Sequence, residues 1–195
     1  MEKSSDVLTK EQIIAATEET IRRYGMAKTS VTDVAKALDV SHGSIYRHFK
    51  SKTELFEAAT EQWLEEKIVA PLADVCRDSS LHGVGHVQAY IQTLVRLKRH
   101  YAREDEALFA MYAKVSDESA ELISKHIGRI VGHLTDIMLR GGLKSDHPER
   151  SARAVFYATA RFHHPAHAYE WKSAAIDAEF SDVWALIEQG LKTND

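Results

Sequence analysis

The chain has 195 residues, of which 44% are hydrophobic and 28% charged, with a formal net charge of −4 and one cysteine, Cys76. That length allows one sizeable core or a small module joined to a larger one; a lone cysteine excludes an intrachain disulfide and points to a reducing, cytoplasmic setting. No apolar run approaches the ~20 residues needed to cross a bilayer, so no membrane partner is expected, and the polar opening MEKSSDVLTKEQ is not expected to act as a signal peptide.

Only three prolines, Pro71, Pro148 and Pro165, interrupt the chain, which favours long helices over many short strands and predicts an all-α fold. Thr9 with Gln12 forms a capping-box pattern ahead of Ile13, Ile14, Thr17, Thr20, Ile21 and Tyr24 at helical spacing, and Gly25 supplies a stop. Ser30 with Asp33 caps a short second helix carrying Val34, Ala35 and Leu38. Asp39-Val40 makes a turn. Ser41 caps a third helix predicted to run through Phe49. Ser51 with Glu54 opens a fourth, predicted to run from Lys52 to about Ile68, with Pro71 marking its end. Three short helices with a tight turn between the second and third make a helix-turn-helix unit, at about residues 30–49.

The charge in this region runs against the chain's net sign. Between Arg22 and Lys52 stand Arg22, Arg23, Lys28, Lys36, Arg47, Lys50 and Lys52, against only Asp33 and Asp39. A local basic window on a helix-turn-helix fits attraction to phosphates. Ser41, Ser44, Tyr46 and His48 add hydrogen-bonding groups of the kind used on base edges and phosphates. Gly43, a poor helix former, makes sense in the first turn if something must approach the backbone closely.

The run TSVTDVAKALDVSHGSIYRHFKSKTELF, Thr29 to Phe56, resembles the DNA-binding region of the TetR/AcrR family of bacterial transcriptional regulators. The likeness extends from about Thr9 to about Ile68. It implies a DNA-binding domain over 9–68 and a larger helical ligand-binding and dimerisation domain over 71–195. It further implies that Thr29, Ser30 and Thr32 lie near the DNA backbone, that His42, Gly43, Ser44 and Arg47 face the major groove, and that Tyr46, His48 and Lys52 contact phosphates. The implied function is a ligand-responsive homodimeric repressor on a pseudo-palindromic duplex operator. It is not an enzyme, requires no cofactor, and responds to a small-molecule effector by a shift of the fourth helix.

Beyond Pro71, apolar stripes predict helices over Val87–Tyr101, Ala107–Val115, a long one capped by Ser116 or Asp117 and stopped by Gly141-Gly142, one from Pro148, and a last from about Ile176 to Leu191. The last helix carries Phe180, Val183, Trp184, Leu186, Ile187 and Leu191, an arc wider than one core contact requires. The last two helices are therefore the expected dimer interface. Where the middle stripes face one another, Tyr90, Leu94, Phe109, Met111, Tyr112, Leu134, Phe156 and His163 are candidate effector-pocket residues, suited to a small aromatic or lipid-like molecule.

ARFHHPAHAYEW, Ala160 to Trp171, places His163 and His167 four apart on one expected helical face with Pro165 between them. His126 and His133 share a face of the preceding long helix. These four are candidate Zn²⁺ or Ni²⁺ ligands, although no cysteine accompanies them. Two other readings stay open: a metal-dependent enzyme built on these histidines, and a DNA-binding regulator with no effector. No Gly-rich phosphate loop, HExxH or CxxC supports an enzyme.

Overall fold

A computed structural model describes residues 8–143 and 146–191. Most of the polar opening read as lacking a signal peptide, Lys144 and Ser145 of the expected loop before Pro148, and the end of the 71–195 domain lie outside the described residues. All regular structure among the described residues is helical. The described residues form two compact units, one of residues 8–63 with 105–119, the other of 64–104 with 120–143 and 146–191.

In the first unit, α1 (Lys10–Tyr24) starts at Thr9, whose hydroxyl accepts from the Gln12 N–H while the Gln12 side chain accepts from Thr9 N–H. It ends at Gly25, whose φ of 79° suits a residue without Cβ. α2 (Val31–Ala37) begins at the Ser30–Asp33 capping box. α3 (His42–Tyr46) is one short helix, and α4 (Lys52–Leu64) follows. Ile13, Ile21, Val34, Ala35, Ile45, Phe49 and Leu55 bury their apolar faces together as the core of this unit.

The same unit includes α7 (Glu106–Glu118). The Arg22 guanidinium grips both oxygens of Asp105, just ahead of α7, at 3.0–3.2 Å. Fully buried Trp63 stacks on Tyr112 at 5.6 Å between ring centroids and meets Phe109 edge-on at 6.4 Å. Such pairs add to the large apolar area each ring buries.

The second unit opens with a wide π-type turn at Glu65–Val69, where the Ala70 N–H reaches five residues back to the Glu65 carbonyl. Pro71 follows in the first turn of α5 (Ala70–Arg77). Pro71 thus begins a helix rather than ending one, and α4 stops at Leu64, short of Ile68. A proline has no N–H to return to the residue four back, and the widened turn accommodates that loss. α6 (Gly83–Glu104), α8 (Ala120–Arg140), α9 (Pro148–Ala158) and α10 (Ile176–Leu191) complete the unit. The expected cap at Ser116 or Asp117 falls inside α7; the break comes at Ser119, with backbone φ −122° and ψ 84°.

The histidine-rich stretch departs most from expectation. α9 ends at Ala158, and two 3₁₀ segments follow, Ala160–Phe162 and Pro165–Lys172. Pro165 sits in a first turn, where its missing N–H costs nothing. His163 and His167 therefore do not share a helical face. His163 is buried, its Nε2 3.2 Å from the Phe156 carbonyl and 3.3 Å from Thr159 Oγ1. His167 instead pairs through Nδ1 with Glu170 at 2.8 Å.

Lys98 of α6, His126 of α8 and His163 are all buried within this unit. Burial, then the Lys98 charge, pushes the His163 imidazole down to about 3; the bond to the Phe156 carbonyl acts the other way. Burial likewise pushes His126 well below its ordinary value, helped by Lys98, Arg129 and His163. Both stay neutral in the folded chain while their unfolded counterparts take up protons near pH 6.5, so below that pH protons favour the unfolded state. Stability should therefore fall on acidification from pH 7.5 to 5.5, by about 1.4 kcal/mol from His163 alone. Urea titrations at the two pH values check this, and His163→Gln should reduce the difference, leaving the part that His126 contributes.

Candidate nucleic-acid interface

α2 and α3 are joined by a turn that fixes the angle of α3. Asp39 adopts φ 53°, a left-handed conformation that aspartate tolerates better than most residues. The Val40 N–H closes back on the Ala35 carbonyl at 3.0 Å, which seals the end of α2. Hydrogen bonds from the Ser30 hydroxyl and then its backbone N–H hold the Asp33 carboxyl below its ordinary range. A capped, closed turn of this kind leaves α3 little freedom of orientation.

α3 itself is anchored on one side and open on the other. Ile45 and, just beyond it, Phe49 are buried, while His42, Gly43, Tyr46 and Arg47 are exposed. Ser41 accepts from the Ser44 N–H, its hydroxyl lies 2.8 Å from the Ser44 hydroxyl, and Arg47 Nη2 donates to Ser44 Oγ at 3.1 Å. The His42 and Tyr46 rings meet edge to face with centroids 4.6 Å apart. Tyr46 is 41% exposed despite that contact. A Cβ on Gly43 would meet only Ser41 Oγ, at an ordinary 3.9 Å. Nothing within the described fold demands glycine there, so the open backbone is available to a partner.

The third helix was expected to reach Phe49; it ends at Tyr46, and Arg47 to Ser51 form the bend into α4. There Glu54 accepts from the Lys50 N–H at 2.6 Å, and Ser51 accepts from the Glu54 N–H at 3.0 Å. Lys52 lies in the first turn of α4 with its ammonium 5.0 Å from the Phe56 ring centroid. Of the ten residues singled out for DNA, nine reach the surface at least in part: Ser30, Thr32, His42, Gly43, Ser44, Tyr46, Arg47, His48 and Lys52. Thr29 is 1% exposed, and its hydroxyl donates to the Gly25 carbonyl at 2.9 Å, so within this fold it braces the start of α2.

The eight candidate pocket residues are all buried. Tyr90, Leu94, Leu134, Phe156 and His163 belong to the second unit, and Phe109, Met111 and Tyr112 to the first. The sequence reading missed Lys98, which lies four residues after Leu94 on the same face of α6 and is buried with it. The four histidines form no ligand set: His133 Nδ1 lies 2.9 Å from the Tyr90 hydroxyl, His167 pairs with Glu170, and His126 and His163 are core groups. Among the described residues no group of three or more histidine, cysteine or acidic side chains is placed to hold a metal ion.

Residues 85–184 match the family model described as the tetracyclin repressor-like C-terminal domain, and residues 13–59 match that of the bacterial regulatory proteins of the tetR family. The chain belongs to the TetR family. Within that family it is similar to the "Probable acrEF/envCD operon repressor" of Escherichia coli K12, with 34% identity over 64 residues, 33% of this chain and 28% of the relative. This chain thus spans under a third of that relative's length. It is also similar to the transcriptional repressor BepR of Brucella suis, 23% identical over 77% of this chain and 76% of the relative. Among solved structures, a TetR regulator from Legionella pneumophila aligns with TM-score 0.60 and 25% identity over 98% of this chain and 100% of that one. FadR of Bacillus subtilis, solved with stearoyl-CoA, aligns at 0.62 with 16% identity over 94% and 100%, a likeness of fold.

Proposed function

We propose that the chain is a DNA-binding transcriptional regulator, a homodimeric repressor that reads a pseudo-palindromic duplex operator and is released or retained by a small-molecule effector. The observation that carries this reading is α3: a rigidly capped helix whose outward face offers His42, open backbone at Gly43, Tyr46 and Arg47, with Lys52 alongside in the sequence and few acids nearby. Arg47 and His42 are suited to base edges, and Tyr46, His48 and Lys52 to phosphates. BioQ, solved with its double-stranded DNA operator, is a fold neighbour at TM-score 0.58 and 21% identity.

The dimer would form through α9 and α10. Trp184 and Phe180 of α10 turn into their own core, stacking at 6.5 Å, while Leu186 of α10 is 71% exposed and Tyr157 of α9 55% exposed. These outward apolar groups favour burial against a second copy. The effector would lie within the second unit, among Tyr90, Leu94, Leu134, Phe156 and His163. It acts by binding one arrangement of the chain better than another. No helix among the described residues is long and apolar enough to span a membrane. Selection of duplexes from a random pool by the full chain tests the reading. One sequence with two-fold symmetry should be enriched, and its affinity should fall with rising salt; enrichment of nothing would refute it.

A further inference from the structure

Away from α3 and from the buried pocket candidates, the second unit carries a groove between α6 and α10 of about 390 Å³. That volume suits a small ligand. Arg96, Arg99 and Arg103 line it from successive turns of α6, and Asp177 of α10 is the acidic residue among its lining. Val95 and Phe180 give it an apolar floor.

The arginines are not equivalent. Arg96 and Arg103 are exposed and project from the rim. Arg99 is held lower, donating from Nη1 to Asp177 Oδ1 at 2.6 Å. Its Nε and Nη2 are covered and meet no acceptor among the described residues. A guanidinium carries five donors in a rigid fork that matches oxyanions, and covered donors without acceptors are costly. Three such cations against one carboxylate leave the groove with positive charge that nothing on its walls neutralises.

The geometry points to a phosphate-monoester site: a dianionic head held by Arg96, Arg99 and Arg103, with its organic body on Val95 and Phe180. Asp177 pairs with Arg99 and so competes with the ligand. When the head enters, Arg99 turns from Asp177 and presents its fork to the phosphate oxygens. A tetrahedral dianion exploits the three guanidinium groups better than a single carboxylate. The site is independent of operator binding, so neither reading depends on the other.

Calorimetric titration of the full chain with phenyl phosphate at pH 8 and low salt tests the site, with inorganic phosphate, benzoate and benzyl alcohol as comparisons. Phenyl phosphate should bind saturably and more tightly than each of the three. Arg96→Ala/Arg103→Ala, both on exposed positions, should weaken it at least ~10-fold. Asp177→Asn should tighten it by removing the competitor. Absence of saturable binding, equal binding of the neutral alcohol, or equal affinity in the double variant would each overturn the proposal, as would weaker binding in Asp177→Asn. If inorganic phosphate or benzoate matched phenyl phosphate, the assigned ligand class would be wrong.

Discussion

Replacing Arg47 and Lys52 together by alanine is expected to lower operator affinity by roughly 100-fold, because two charge-assisted contacts of about 1–3 kcal/mol each are lost. The fold should be unaffected. Arg47 is exposed, and its guanidinium donates to the Ser44 hydroxyl, a contact within the same short segment. Lys52 stands in the first turn of α4, where a cation opposes the helix dipole, so its removal costs the helix nothing from that source. The two roles also separate by salt. Lys52→Ala alone should reduce the slope of log affinity against log salt by about 1, as expected for one lost phosphate contact. Arg47→Ala should in addition relax discrimination at one base position. Fluorescence anisotropy with a selected duplex at several salt concentrations reads both. Unchanged binding in the double variant would remove α3 and its flank as the contact surface.

The second large effect lies in packing. Trp63→Ala should destabilise the first unit by about 3–5 kcal/mol, the range for deleting a fully buried large aromatic. Trp63 is wholly buried, stacked on Tyr112 and edge-on to Phe109. No smaller side chain fills that space without collapse of α7 toward α4. Trp63→Phe should cost clearly less, because the ring contacts partly survive. Urea unfolding followed by circular dichroism checks this. A loss below about 1 kcal/mol would mean that α7 does not pack as described.

These two predictions differ in how far the sequence allowed them to be foreseen. The places of Arg47 and Lys52 in the fold were legible because the signals around them are local. Thr9 with Gln12, Ser30 with Asp33, and Ser41 ahead of Ser44 each act within one helical turn, and the structure shows all three as caps. The place of α7 was not legible in the same way. Its stripe of Leu108, Phe109, Met111 and Tyr112 announces a buried face but not what buries it. The partner, Trp63, is some fifty residues away in the sequence. Periodicity reports which face is apolar, and only tertiary packing selects the neighbour.

The histidine stretch failed for a related reason. Four-residue spacing implies a shared face only on a continuous α-helix, and the chain leaves that state after Ala158. Lys98 was legible and overlooked, since its position on the buried stripe of α6 follows from counting four residues on from Leu94. The π-type turn before Pro71 shows the limit of reading proline as a stop. The ring removes one donor, and a chain that widens by one residue can go on being helical.

Reading a two-fold operator requires α3 to be presented twice to one duplex. Hydroxyl-radical footprinting of the full chain on its selected duplex measures this most directly. Two protected half-sites related by a two-fold axis are predicted, their centres one helical turn, about 34–36 Å, or a multiple of it apart. A single protected half-site, or protection without regard to sequence, would contradict it.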